Sequence, residues 1–295
     1  KFPVQLIAAI IVVSTGTRIT AISKPFQATV AVHPSMMYML GDILAYVISI
    51  FWIVGMTNAI NLIDGLDGLA AGVSGIAAIT LYIVSVIRKQ DDIAIIAISL
   101  VGAIAGFLPY NFNPAKIFMG DTGATFLGFI LAIISIEGTM KSVTALAVAI
   151  PILVLGLPIF DTMFAIVRRL LHGKPIAEAD RGHLHHRLLD MGLSHRMAVI
   201  CLYIVSGALS LISIALVDKG LLPSIILLIM IVAFGIGGAR NLKDIVVTPE
   251  DSSMKKKETA NTEHIDAHLE AASGIKLEAP SDEKEISGTE ENKDE

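Results

Sequence analysis

Four polar side chains fall at three-residue steps in NAINLIDGLDGLAAG, residues 58–72: Asn58, Asn61, Asp64 and Asp67. If that stretch is helical, Asp64 and Asp67 are neighbours on one face. Two carboxylates held so close repel unless a cation lies between them or one takes a proton. The plainer reading is that Asp67, beside Gly65 and Gly68, caps a helix beginning near residue 67. That accounts for one aspartate and leaves the other three polar positions unexplained. A second stretch, YNFNPAKIFMGDTGATFLG at 110–128, offers Asp121 at the start of another apolar run. Capping and chemistry do not compete there, because a helix N-terminus presents N–H groups that suit phosphate. An aspartate at such a place suits a divalent cation shared with that phosphate, as Mg²⁺ is commonly bound.

The third stretch is ADRGHLHHRLLDMGLSH at 179–195, with His183, His185 and His186 between Arg181 and Arg187. Three histidines invite zinc, yet no cysteine accompanies them and the flanking cations oppose a metal. Imidazoles with forked guanidinium donors better suit an anionic ligand. A basic surface loop is the bland alternative. Asn111, Asn113 and Phe118 lie in the second stretch. Phe118 is either an interfacial anchor or a face on which a planar base stacks. Asp161, in PIFDTMFAIVRR, either pairs with Arg168 or Arg169 or joins the site.

The elements that position these groups are set by composition. Hydrophobic residues are 54% of the 295 and charged residues 17%, where soluble domains run nearer a quarter charged. The excess points to lipid. Residues 1–243 hold 16 Lys and Arg against 12 Asp and Glu, while residues 244–295 hold 6 against 15. The chain therefore divides into a membrane body, 1–240, and an acidic tail, 241–295, expected to be disordered. His264 and His268 in that tail stand at i and i+4, a weak candidate metal pair. Cys201 is the only cysteine, so no disulfide framework exists within one chain.

A bilayer core needs about 20 apolar residues per helix. Windows near 3–22, 37–57, 66–87, 93–110, 122–137, 143–167, 197–217 and 221–239 approach this, which predicts an all-α polytopic transmembrane helical bundle of about eight spans. Every second loop then shares a side, and the three polar stretches fall on one side together. That side carries 10 Lys and Arg against 6 on the other, which places it in the cytoplasm with the tail. The residues alone thus describe a multi-pass membrane protein with a carboxylate-rich, cation-dependent phosphate site on its cytoplasmic face. Two rivals remain: a helical prenyltransferase with aspartate-rich loops and Mg²⁺, and an ion-coupled transporter with an Asp/His relay. The first needs a second D-x-x-D-like cluster. The second needs ionisable groups near the midplane.

Taken together, NAINLIDGLDGLAAG, FNPAKIFMGDTGATFLG, PIFDT and RGHLHHRL resemble the polyprenyl-phosphate N-acetylhexosamine-1-phosphate transferase family, over about residues 1–217. The histidine loop and PIFDT are most similar to its bacterial undecaprenyl-phosphate GlcNAc-1-phosphate transferases. The resemblance implies transfer of GlcNAc-1-phosphate from UDP-GlcNAc to undecaprenyl phosphate in the bacterial cell membrane, releasing UMP. That is a first membrane step toward teichoic acid or a related surface polymer. It further implies Asp121 as the ligand of Mg²⁺ (Mn²⁺ being the alternative), and Asp64 and Asp67 as catalytic floor with Asn61 beside them. Asn111 and Phe118 would hold the uridine, and His183, His185, His186 and Arg187 the diphosphate and amino sugar. No nucleic-acid partner is expected. The family also carries an adjacent aspartate pair just before the first apolar run here. Asp91–Asp92 falls on the other face, so the chain is expected to be a fragment lacking its first spans and inactive as it stands.

Overall fold

The computed structural model describes residues 1–20, 34–141, 145–171 and 183–217, and the regular elements among them are all helices, with no strand. The helices are α1 (Phe2–Ser14), α2 (Pro34–Ile63), α3 (Leu69–Ile87), α4 (Asp91–Asn111), α5 (Gly120–Gly138), α6 (Ala145–Val154), α7 (Gly156–Leu171), α8 (Leu184–Asp190) and α9 (His195–Ala215). The most enclosed span is α3. Its buried positions run through Ala70, Ala71, Gly72, Ser74, Ala77 and Ala78, small residues that let neighbouring backbones approach where lipid offers no hydrophobic drive between helices. α4 packs along one side of α3 and α9 along another, while α2 pairs with α5. That last pair touches backbone to backbone. A Cβ placed on Gly128 would meet the Met56 carbonyl oxygen at 2.7 Å.

Several hydroxyls inside the bundle are satisfied within their own helices, while those of Ser74, Ser85, Ser206 and Ser210 are buried without a partner. Ser49 donates to the Ala45 carbonyl at 2.6 Å, and Thr57 and Thr80 donate to carbonyls four residues back at 2.7 Å. Trp52 Nε1 donates across to Ser135 at 3.0 Å, linking α2 and α5. Such pairing offsets the cost of burying a polar group away from water.

Five of the helices are long and apolar enough to cross a membrane, or six if the α6–α7 pair counts as one span. The eight expected from apolar windows are thus not all matched. The window at 3–22 yields only the 13-residue α1, about 20 Å of helix against a core of roughly 30 Å. It stops at Ser14, before Gly16 at φ 110°. The window at 143–167 is broken: α6 and α7 meet at 81°. Pro158 has no N–H to give the Val154 carbonyl, and the hydrogen bonds Leu155 N–H to Pro151 and Ile159 N–H to Leu155 carry the chain around the corner. The window at 221–239, the acidic tail with His264 and His268, and Arg181 lie outside the described residues, as does the proposed boundary at 240.

Candidate active site

The aspartates of the first motif are not on a helix. α2 ends at Ile63 and α3 begins at Leu69, so Asp64 and Asp67 occupy the turn between two spans. The capping reading of Asp67 does not hold either, since α3 has no side-chain cap. The carboxylate of Asp67 reaches instead to the second motif. Its Oδ2 accepts from Asn113 Nδ2 and from the Ala115 backbone N–H, both at 3.1 Å. Asn58 is structural: its amide donates to Gln5 Oε1 at 2.9 Å and to the Val54 carbonyl at 2.7 Å, tying α1 to α2 beneath the turn.

Asn61, one turn on, donates to Asp121 Oδ1 at 2.9 Å. Asp121 lies in the first turn of α5 without capping it, where a negative charge also suits the helix dipole. Its other oxygen pairs with the Lys1 ammonium. Sequence reasoning used Lys1 only to count charge. Its placement on Asp121 depends on where α1 begins and could not be read from spacing.

The turn gathers negative charge. Burial raises the Asp64 carboxyl to about 6, and the charges of Asp121 and Asp67 push in the same direction. A cation between these groups would relieve that repulsion. Among the described residues no three His, Cys, Asp or Glu side chains form a ready metal cage. The crowded carboxylates of Asp64, Asp67 and Asp121 suit a hard divalent ion held by one or two of them, with the remaining positions left to a phosphate ligand. They do not fit zinc.

The histidine motif closes the site from the other side. Asp161, on α7 and 3% exposed, accepts from the Leu184 N–H at 2.8 Å and meets His183 Nδ1 at 2.9 Å. It thereby caps α8 from a different helix and fixes the first imidazole, which ties Asp161 to the histidine motif. His185 stacks parallel to His183, with ring centroids 5.8 Å apart and 7° between planes, and His186 lies 4.3 Å from it at 41°. Burial, with the neighbouring His186, lowers the His185 imidazole to about 4. It is neutral at pH 7, a hydrogen-bonding group rather than a phosphate-gripping cation. Its ring faces Gly65, the residue after Asp64: a Cβ there would lie 2.9 Å from Cε1 and closer still to Nε2. Only glycine lets the aspartate turn and the imidazole cluster touch. The bare sequence shows that glycine but not what it faces.

The remaining residues divide. Phe118 is 75% exposed, an unencumbered aromatic face beside Asp121. Arg187 is exposed, with its guanidinium 4.7 Å over the Phe164 ring. Asn111 is 3% exposed, and both ends of its amide are engaged: Oδ1 accepts from the Gly68 N–H at 3.1 Å and Nδ2 donates to the Ile117 carbonyl at 3.0 Å. It holds the loop that carries Phe118. Arg196, which sequence reasoning passed over, donates to the Asn113 carbonyl at 2.9 Å and braces the same loop from α9. At the other end of the bundle Arg88 donates to the Thr139 carbonyl and Lys141 pairs with Glu137, contacts that hold helix ends and, among the described residues, gather no comparable cluster.

Residues 1–139 match glycosyl transferase family 4. Over 234 residues the chain is 44% identical to a Bacillus subtilis protein described as a probable undecaprenyl-phosphate N-acetylglucosaminyl 1-phosphate transferase, covering 79% of this chain and 63% of that relative. It is 34% identical to the decaprenyl-phosphate N-acetylglucosaminephosphotransferase of Mycolicibacterium smegmatis, over 71% of this chain and 55% of the relative. A shorter match, 50% identity over 92 residues, is to the phospho-N-acetylmuramoyl-pentapeptide-transferase of Streptococcus mutans. The chain spans less than two thirds of the length of each.

Proposed function

We propose that this chain, whose residues 1–139 match glycosyl transferase family 4, is part of a multi-pass bacterial membrane enzyme moving GlcNAc-1-phosphate from UDP-GlcNAc to undecaprenyl phosphate. One observation carries this reading: three polar motifs from separate spans meet at one end of the bundle, Asn61 on Asp121, Asp67 on Asn113 and Gly65 against His185. A site at a span boundary suits a substrate whose reacting phosphate is anchored in the bilayer. The name of the Bacillus subtilis relative supports undecaprenyl phosphate as the acceptor and an N-acetylglucosaminyl 1-phosphate group as what is moved. The face is cytoplasmic in this reading, where a nucleotide sugar is available. The product feeds teichoic acid or a related surface polymer.

In the reaction a phosphate oxygen of the lipid attacks the β-phosphorus of UDP-GlcNAc. A new P–O bond forms, the bond to the bridging oxygen breaks, and UMP departs with that oxygen, leaving GlcNAc-diphospho-undecaprenol. Direct displacement needs no phospho-aspartate, and we adopt it. When bound, Mg²⁺ neutralises charge on the transferring and leaving phosphates; Mn²⁺ would serve, as both prefer oxygen ligands. Asp121 would hold it, with Asn61 fixing the carboxylate's orientation. Asp64 forms the floor beside it. Asp67 acts there through the Asn113 amide and the Ala115 N–H, setting the loop on which Phe118 stacks the uracil. His183, His185 and His186 contact the diphosphate and amino sugar as oriented hydrogen-bonding groups, and Arg187 adds positive charge at the rim.

Full-length protein in membranes, supplied with UDP-GlcNAc, undecaprenyl phosphate and Mg²⁺, should release UMP in step with lipid-linked GlcNAc. Absence of UMP under those conditions removes the reading. A pH dependence follows from Asp64. Its raised value leaves the carboxyl protonated below about 6, where it can no longer pair with a cation, so activity is lost as pH falls. At limiting Mg²⁺, kcat/KM is expected to drop about tenfold per pH unit below that point, since this quantity reports groups of the unliganded enzyme. Saturating Mg²⁺ should shift the limb to lower pH. A profile flat from pH 7 to 5 at limiting metal contradicts the role given to Asp64.

A further inference from the structure

Gly68 is where the loop bearing both aspartates turns into α3, and it lies in the left-handed region at φ 83°. Both of its backbone groups are caught from other spans. The N–H donates to Asn111 Oδ1 at the end of α4. The carbonyl accepts from the Tyr203 hydroxyl, on α9, at 2.5 Å. We propose that Tyr203 is a positioning residue of the transfer reaction, its hydroxyl and the Asn111 amide clamping the Gly68 turn and so fixing how Asp64 and Asp67 are presented. The part played in transfer rests on the function proposed above.

Three features set the hydroxyl apart from ordinary packing. The Gly68 carbonyl already receives the first helical N–H of α3, that of Gly72, at 2.8 Å. The phenol therefore fills the second lone pair and adds direction where satisfaction is already complete. Room for the ring is cut out of the same motif: a Cβ on Gly72 would fall on the Tyr203 Cζ and hydroxyl oxygen, and one on Gly68 would sit 3.4 Å from that oxygen and 3.0 Å from Phe112. Finally, α9 follows directly on the histidine helix α8 and packs against both α8 and α3. One hydroxyl on α9 thus ties the aspartate turn to the element that continues from the imidazole cluster. A left-handed turn held on both sides by side chains from two other helices is a fixed joint, where an unclamped glycine would be the softest point of the loop.

Tyr203→Phe in the full-length protein keeps the ring in its slot and removes only the donor. Amide hydrogen exchange over residues 64–72 is expected to quicken at least fivefold, with the melting temperature little changed. The kcat for UMP release is expected to fall about tenfold with KM for the nucleotide sugar within about twofold, the pattern of a lost transition-state alignment. Gly72→Ala, which displaces the ring, should reproduce both changes. Unchanged exchange over 64–72 in Tyr203→Phe overturns the clamp. Faster exchange with unaltered kcat overturns its part in the reaction. If the unsubstituted protein releases no UMP, the transfer reading falls on its own, and the exchange measurement still decides the clamp.

Discussion

Gly65→Ala is expected to lower UMP release by the full-length protein about 10²-fold while leaving the bundle folded, because a displacement of about 1 Å in a reacting site costs about that much. The added methyl would lie 2.9 Å from His185 Cε1, 3.2 Å from Cδ2 and nearer still to Nε2. That ring is closely held. It is 3% exposed, parallel to His183 on one side and 4.3 Å from His186 on another. Either the imidazole cluster shifts away from the carboxylates or the 64–66 backbone shifts away from Asp121; both open the site. Gly65 itself is exposed, so the cost to global stability stays small and a melting curve should move little. A double-mutant cycle gives the sharp test. In a His185→Ala background the alanine at 65 meets no ring and should cost less than threefold, a non-additivity expected only of residues in contact. Gly65→Ala retaining a third or more of normal turnover would show that the two motifs do not meet in the working enzyme.

That prediction marks the limit of what spacing reveals. The helical class, the boundaries of the central spans and the gathering of three motifs at one end were all legible, because apolar periodicity and loop parity are local or simply additive properties. Asp64 and Asp121 could be singled out because charge beside lipid needs a reason. Which partner each polar group meets could not be read. Asn111 has the residue type of a ligand-binding amide, yet both its ends are spent on backbone groups of its own loop and the Gly68 turn. Asp67 has the type and place of a helix cap, yet it reaches across to 113–115. Asx side chains serve ligand, cap and turn equally well, and only tertiary placement decides among them. The shape of one span was hidden for a similar reason. Hydropathy in 143–167 is continuous, while Pro158 breaks the helix at 81° and so turns Asp161 toward the histidines instead of along a straight span.

That turn makes Asp161 the second position of large expected effect. Its carboxylate receives two groups at once, the Leu184 N–H on Oδ1 and His183 Nδ1 on Oδ2. Asp161→Asn conserves size but has one acceptor oxygen and two N–H donors. With the oxygen on Leu184, the amide N–H faces His183 Nδ1 and can bond only if that nitrogen becomes the acceptor, which moves the imidazole proton to Nε2. With the oxygen on His183, a donor is set against the Leu184 N–H, and α8 loses its cap. Either way the first histidine presents the wrong nitrogen or the wrong position to a ligand. In catalytic sites where a carboxylate orients a histidine, such a tautomer reversal is costly, about 10⁴-fold in the serine protease case. A histidine that binds rather than transfers a proton should lose less, and about 10²-fold in kcat is expected here. Asp161→Ala adds a cost in stability. It strands a buried N–H and imidazole, about 3 kcal/mol by analogy with other broken buried pairs, and the melting temperature should fall by roughly 6–12 °C for a chain of this size. Measuring kcat and melting temperature for both variants separates orientation from support. Asp161→Asn turning over within threefold of the unsubstituted protein would mean that His183 needs no fixed tautomer, and that this carboxylate serves α8 alone.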